Sequence, residues 1–98
     1  MITIVARWTV EPSNIKKVME NLSHLVSGSR SEPGCLAYTP YVESSNPNSV
    51  LIFEQYQDNE AVEAHRKSEH FQKYAVGMIV PLLATRALQV LQDVSLST

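Results

Sequence analysis

The predicted strand at residues 49–57 is apolar on both faces, which constrains the fold more than any other feature of the sequence. Val50 and Ile52 share one face, and Leu51 and Phe53 share the other, because successive side chains of a strand alternate. Each face therefore needs cover from another layer of structure. A chain of 98 residues buries only roughly 60–65% of its unfolded surface, so a lone monomer would be marginal.

Three further strands are predicted from apolar alternation and flanking turn residues, at 2–10, 35–43 and 85–94. Residues 44–48 have the composition of a hairpin loop between the second and third strands. Pro40 cannot donate a ladder hydrogen bond, which favours an edge position or a bulge for the second strand.

Apolar residues spaced three and four apart predict the helices. The first follows residues 12–14 and is expected to stop at Gly28. Asp58 is a suitable N-cap for a short helix over 59–67, and Ser68 for a second helical piece. The predicted apolar face of that second piece comprises Phe71, Tyr74, Ala75, Met78, Ile79 and Leu82.

The resulting order, β-α-β-β-α-β, is the split βαβ or ferredoxin-like α+β motif, here predicted as a single domain over 1–98. Its usual strand order, 4-1-3-2, places the second strand at an edge, in agreement with Pro40. The helices of this motif cover one sheet face only. We therefore predict a homodimer in which two sheets pack face to face.

Composition excludes several classes of partner. The net charge is −2 and no more than two basic residues are adjacent, so the basic stripe expected of a nucleic-acid-binding protein is missing. No apolar run approaches the roughly 20 residues of a membrane span. The first residues lack the basic region and cleavage site of a signal peptide. These features together favour a cytoplasmic protein.

Three polar residues are candidates for chemistry. Glu54 is in phase with the apolar face of its strand, where a carboxylate is costly unless paired, so it is either structural, a general base or the partner of a histidine. Helical spacing places His65 on the buried side of its helix, as a core residue or an acid–base group. His70 is near the start of the next helical piece. These histidines are five apart, whereas helical metal pairs are three or four apart, so no metal site is predicted.

A pocket between sheet and helices is the expected place for a small-molecule substrate. Its candidate lining residues are Trp8, Phe53, Phe71, Tyr74 and Met78, although their spacing also fits an ordinary core. The chain has no glycine-rich nucleotide motif and no phosphate loop. No cofactor is therefore expected.

Three stretches of the chain resemble the antibiotic biosynthesis monooxygenase family. They are Glu32-Pro33-Gly34-Cys35-Leu36-Ala37-Tyr38, Leu51-Ile52-Phe53-Glu54-Gln55-Tyr56, and the segment from Ala61 to Phe71 that contains His65-x-x-Ser68-x-His70-Phe71. The resemblance covers nearly the whole chain and implies a ferredoxin-like domain that forms dimeric α+β barrels.

The resemblance also implies an activity. The best-known members of the family oxygenate aromatic polyketides, quinols or anthrones without metal or flavin, and the protein contributes a base, orientation and a dry pocket. The motif match carries the family's polar positions to Glu54, His65 and His70, with His65 as base, Glu54 orienting it and His70 stabilising the anion.

Two other functions stay open. A related branch isomerises a small phosphorylated signalling sugar, and Glu54-Gln55-Tyr56 also matches its strand end; Arg7, Arg30 or Arg86 would then have to bind the phosphate. The third possibility is a dimer that binds a small ligand without catalysis.

Overall fold

The computed structural model describes residues 1–96, and its four strands form one antiparallel sheet. The strands are β1 (Ile2–Val10), β2 (Cys35–Glu43), β3 (Asn46–Tyr56) and β4 (Leu83–Gln92). Their order is β2-β3-β1-β4, which confirms the ferredoxin-like α+β fold and the edge position of Pro40. The last two residues of the predicted domain 1–98 lie outside the described residues.

The helices connect the strands in the predicted order. A 3-10 turn (Pro12–Asn14) leads into α1 (Ile15–Arg30), and α2 (Asn59–Lys67), a π-helix (Phe71–Ile79) and a second 3-10 turn (Val80–Leu82) join β3 to β4. Asp58 caps α2 as predicted, because its side chain accepts from the Ala61 amide at 2.8 Å. Within residues 1–96, no helix has the length and apolarity to cross a membrane.

The core is between the helices and one face of the sheet. Alternate residues of β1 and β3 are buried there, and α1 packs against them with residues spaced three and four apart. The main members of this core are Ala6, Trp8, Val10, Val18, Leu22, Leu25, Val50, Ile52, Ala75 and Ile79. On the opposite face, Val5, Leu51 and Phe53 are only partly buried.

Gly28 does not end the first helix, contrary to the sequence prediction. α1 continues to Arg30, and Ser29 is fully buried. A Cβ atom at position 28 would lie 2.5 Å from Cγ of His70. Gly28 therefore allows close approach of the His70 ring to the helix.

Two strand boundaries differ from the prediction. β3 begins at Asn46, so the hairpin turn consists of Ser44 and Ser45 rather than residues 44–48. Pairing of Glu43 with Asn46 extends the ladder to the turn. β4 is shifted two residues toward the N-terminus of the predicted 85–94 segment.

The second helical piece is a π-helix, not the α-helix that its apolar spacing indicated. Its i→i+5 hydrogen bonding widens each turn, so the angular spacing of its side chains differs from that of an α-helix. Of the six residues predicted to share the buried face, Ala75 and Ile79 are buried, whereas Met78 is exposed.

Candidate functional site

A cavity of about 320 Å³ lies between the helix-covered sheet face and the segment from α2 to the π-helix. Its apolar lining comprises Ile4, Ala6, Trp8, Leu25, Val62, Phe71, Ala75, Val80, Ala87 and Leu88. Its polar lining comprises Tyr38, Glu54, His65, Arg66 and Arg86. A mostly apolar cavity with a few converging polar groups is the usual form of a small-molecule site.

His65 is buried at the wall of this cavity. α2 turns Ala61, Val62 and His65 toward the sheet, and His65 is 3% exposed. The rings of Tyr56 and Phe71 lie 5.2 and 5.0 Å from the His65 ring, centroid to centroid. The imidazole is therefore packed against two aromatic rings.

The two ring nitrogens of His65 have different surroundings. Nδ1 is 2.9 Å from Oε2 of Glu32, and since a carboxylate oxygen only accepts, Nδ1–H is the donor. Nε2 is 3.9 Å from Oε1 of Glu54, which is too long for a hydrogen bond. The Glu32 contact thus selects the tautomer whose Nε2 has a free lone pair on the side of Glu54.

Burial lowers the pKa of His65, while the hydrogen bond and the charge of Glu32 act against that lowering. Burial therefore favours a neutral ring near pH 7. A neutral imidazole with one free nitrogen is a competent proton acceptor.

Glu54 lies on β3, is 6% exposed and lines the cavity. The Tyr56 hydroxyl donates to its Oε1 at 2.6 Å. Burial raises the pKa of Glu54 to about 7, and the Tyr56 hydrogen bond offsets only part of that rise. Glu54 can therefore hold a proton near neutral pH, in contrast to an exposed carboxylate.

Glu32 is the carboxylate that orients His65, the role that the sequence interpretation gave to Glu54. It lies in the turn between α1 and β2, and its Oε2 contacts His65 and His70 together. Its other oxygen, Oε1, is buried and has no hydrogen-bond partner among the described residues.

Glu32 stood in the Glu-Pro-Gly-Cys turn that marked the family resemblance, and this was the only signal for it in the sequence. A turn has no periodicity that reports burial, and the contact spans 33 residues along the chain. Only the folded chain brings the turn to α2.

The other predicted site residues separate into two groups. Trp8 and Phe71 line the cavity. Phe53 does not, because it is on the face of β3 opposite Glu54. Tyr74 stacks on His24 with ring centroids 4.9 Å apart, and Met78 is exposed on the π-helix. His70 contacts Glu32, and neither residue is part of the cavity lining.

Two arginines also line the cavity. Arg86, on β4, is paired in register with Trp8 of β1, and Arg66 lies on α2 beside His65. Arg66 also approaches Glu63 at 3.5 Å. The cavity therefore combines an apolar wall with a proton acceptor, a protonatable carboxyl and two cations, a set suited to removing a proton from an enclosed substrate.

Comparison with known proteins gives three informative matches. The chain is 27% identical over 73 residues to the uncharacterized protein sll1783 of Synechocystis sp., but spans only half of that protein's length. It is 26% identical over 85 residues to the Escherichia coli protein named probable quinol monooxygenase YgiN, with 76% of this chain and 82% of YgiN covered. A crystal structure described as an antibiotic biosynthesis monooxygenase superposes with a TM-score of 0.91 at 26% identity, covering 97% of this chain and all of the other.

The family described as antibiotic biosynthesis monooxygenase matches residues 1–76. That range contains three strands, α1, α2 and the cluster of Glu32, Glu54, His65 and His70. With the fold, the site and this match in agreement, the chain belongs to the antibiotic biosynthesis monooxygenase family.

Proposed function

We propose that this protein is a cofactor-independent monooxygenase acting on a small quinol-like or aromatic substrate. The observation that carries the proposal is the His65 ring, whose Nδ1–H is held by Glu32 while Nε2 is free beside a mostly apolar cavity. A histidine oriented by a carboxylate is a recurrent arrangement for a general base.

In this proposal His65 removes a proton from the bound substrate through Nε2. The resulting anion is electron-rich and reacts with molecular oxygen; one oxygen atom stays on the substrate and the other leaves as water, with all electrons supplied by the substrate. Protonated Glu54 donates a hydrogen bond to the substrate oxygen on which negative charge develops. Trp8 and Phe71 flank the aromatic ring.

His70 has a positioning role in this scheme, in place of the anion-stabilising role expected from the sequence. It contacts Glu32 and not the cavity, so it fixes the carboxylate that fixes the base. The chain would thus supply an oriented base and a mostly apolar pocket, and orientation and exclusion of water are the contributions such a reaction requires.

The test is oxygen uptake by metal-stripped protein with a panel of quinols and anthrones. We expect turnover that falls at least about 1,000-fold in His65→Ala, at the upper part of the range for loss of a general base. His24→Ala is the matched control, because His24 is exposed and outside the cavity. Circular dichroism establishes that each variant folds.

Unchanged uptake in folded His65→Ala would contradict the assignment of the base. No uptake with any substrate would count against oxygenation and favour a ligand-binding protein without catalysis. Labelled oxygen gas checks the chemistry, since one labelled atom should appear in the product and one in water.

Isomerisation of a small phosphorylated sugar is the second candidate, and Arg66 and Arg86 favour it. Two cations at the cavity offer a site for a phosphate group, and His65 with Glu54 would transfer a proton between carbons. Proton exchange at a substrate carbon without oxygen uptake would support this candidate over the first.

The partly exposed sheet face supports a homodimer as the functional form. Val5, Leu51 and Phe53 on that face are apolar, and Tyr41 beside them is 55% exposed. A second copy packed on this face would cover them. We expect Phe53→Lys to shift the mass measured by light scattering from dimer to monomer, while Val76→Lys, at an exposed position on the π-helix, leaves it unchanged.

A further inference from the structure

Three side chains of types that can ligate a metal ion converge at His65, and the proposed oxygenase needs only one of them as a reacting group. Glu32, His65 and His70 each offer one ligand atom, and these atoms lie within 4.8 Å of one another. They come from the turn before β2, from α2 and from the segment just before the π-helix. The convergence is thus a product of the fold and not of one helical face.

A break in the chain explains how residues 65 and 70 meet. On a continuous α-helix, residues five apart point in different directions. Ser68 has extended backbone angles, φ −65° and ψ 152°, so α2 ends and the chain changes direction before His70. Gly28 then leaves the space in which the His70 ring lies, since a Cβ atom there would be 2.5 Å from its Cγ.

The carboxylate of Glu32 is incompletely satisfied in this arrangement. Oε2 is contacted by both histidine rings, whereas Oε1 is buried with no hydrogen-bond partner among residues 1–96. A buried carboxylate oxygen without a partner is costly. A cation bound through both carboxylate oxygens of Glu32 would supply the interaction that Oε1 lacks.

We infer that Glu32, His65 and His70 form a binding site for a divalent first-row transition-metal ion, best represented by zinc. Two histidines and one carboxylate are an established donor set for Zn²⁺ with a fourth position left for water or another ligand. With zinc bonds of about 2.0–2.2 Å, tetrahedral geometry would require Nδ1 of His65 and Nε2 of His70 to lie about 3.3 Å from each other. Side-chain rotation of His70, which is 20% exposed, provides this movement.

Metal binding would have a defined consequence for the base, and this consequence rests on the proposed function. The ion takes the lone pair of His65 Nδ1, so the single hydrogen of the neutral ring moves to Nε2. Nε2 then donates and no longer accepts a proton. The metal-loaded protein should therefore be inactive in cofactor-free oxygenation, and chelation should restore it.

The test of the site itself does not need activity. Chelator-treated protein is titrated with ZnCl₂ by calorimetry, and with Co²⁺ while the visible spectrum is recorded. We expect one ion per chain and the intense visible bands of four- or five-coordinate cobalt. His70→Ala should weaken zinc binding more than about 100-fold, beyond the range of outer-shell changes.

A matched control and a variant that moves one ligand complete the test. His24→Ala removes an exposed histidine outside the cluster and should leave affinity unchanged. Gly28→Ala keeps all three ligands but displaces the His70 ring, so affinity should fall about 10–100-fold, as for outer-shell changes.

Absence of saturable zinc binding by the unmodified chain would overturn the inference, as would unchanged affinity in folded His70→Ala. If His70→Ala fails to fold, the cobalt spectrum of the unmodified chain tests the site instead. A spectrum equal to that of aqueous cobalt would then overturn the inference. Neither result bears on oxygen uptake by metal-stripped protein, so failure of this inference and failure of the proposed function are distinguishable.

Discussion

The two sides of the His65 ring show how one imidazole is given two different environments. On the Nδ1 side, Glu32 accepts from His65 and also contacts His70, so this nitrogen is occupied by a protein partner. On the Nε2 side, Glu54 is 3.9 Å away and accepts instead from Tyr56. The contacts at Nδ1 hold the ring in place, and Nε2 is left for a ligand.

The two carboxylates beside His65 also differ in their partners. Glu32 has two imidazole partners, whereas Glu54 has a hydroxyl partner and, among residues 1–96, no hydrogen-bonded cation; burial raises the pKa of Glu54 to about 7. Neighbouring carboxyl groups with different surroundings commonly take different roles at a site. Here the difference suggests an orienting anion on one side and a proton donor on the other.

Removal of the Glu32 charge, on the Nδ1 side of His65, should have the largest effect on activity. Glu32→Gln keeps the shape of the side chain, but its amide group can donate to Nδ1 and stabilise the wrong tautomer of His65. We expect kcat for oxygen uptake to fall roughly 100- to 10,000-fold, as when the aspartate of a catalytic triad becomes asparagine. Glu63→Gln, at an exposed position on α2, is the control; an equal kcat in both variants would contradict an orienting role for Glu32.

On the Nε2 side of His65, Glu54→Gln should stabilise the protein at alkaline pH. The folded-state pKa of Glu54 is about 7, above its ordinary value of 4.5, so between these values the unfolded chain has already released a proton that the folded chain keeps. Rising pH therefore lowers the free energy of unfolding across that window, and the full penalty is present above pH 7.

The shift in the pKa of Glu54 corresponds to about 3 kcal/mol, which Glu54→Gln should recover at pH 8 but not at pH 4. Urea unfolding at both pH values measures the difference. A variant whose advantage does not depend on pH would show that Glu54 titrates as an ordinary carboxylate.

The smallest change is Tyr56→Phe, which removes only the hydroxyl beside Glu54. Loss of this buried hydrogen bond should lower the free energy of unfolding by about 1–2 kcal/mol. It should also raise the pKa of Glu54 further, because the hydroxyl stabilises the ionised form. Carbon NMR titration of the Glu54 carboxyl reports this shift, and Tyr41→Phe, with an exposed side chain, should leave it unmoved.

Periodic elements were predictable from the sequence, and so were the site residues that lie on them. Period-two alternation placed Glu54 on the buried face of β3, and helical spacing placed His65 on the buried face of α2. Both inferences needed only local geometry. The strand order also followed, since Pro40 is compatible with an edge strand.

Residues outside regular periodicity were not predictable. Tyr74 and Met78 were assigned to a shared α-helical face, but the π-helix changes the spacing and turns them away from the cavity. Glu32 was visible only as part of a turn motif, and the meeting of His70 with it depends on the break at Ser68.

The sequence by itself determined the order of the elements, the two-faced character of β3 and the burial of Glu54 and His65, because these depend on the alternation of neighbouring side chains. Only the tertiary structure decided which carboxylate orients His65. That choice depends on contacts between residues 33 and 38 positions apart, made when the turn after α1 packs beside α2 and the segment that follows it. Local patterns carry no information about such distances.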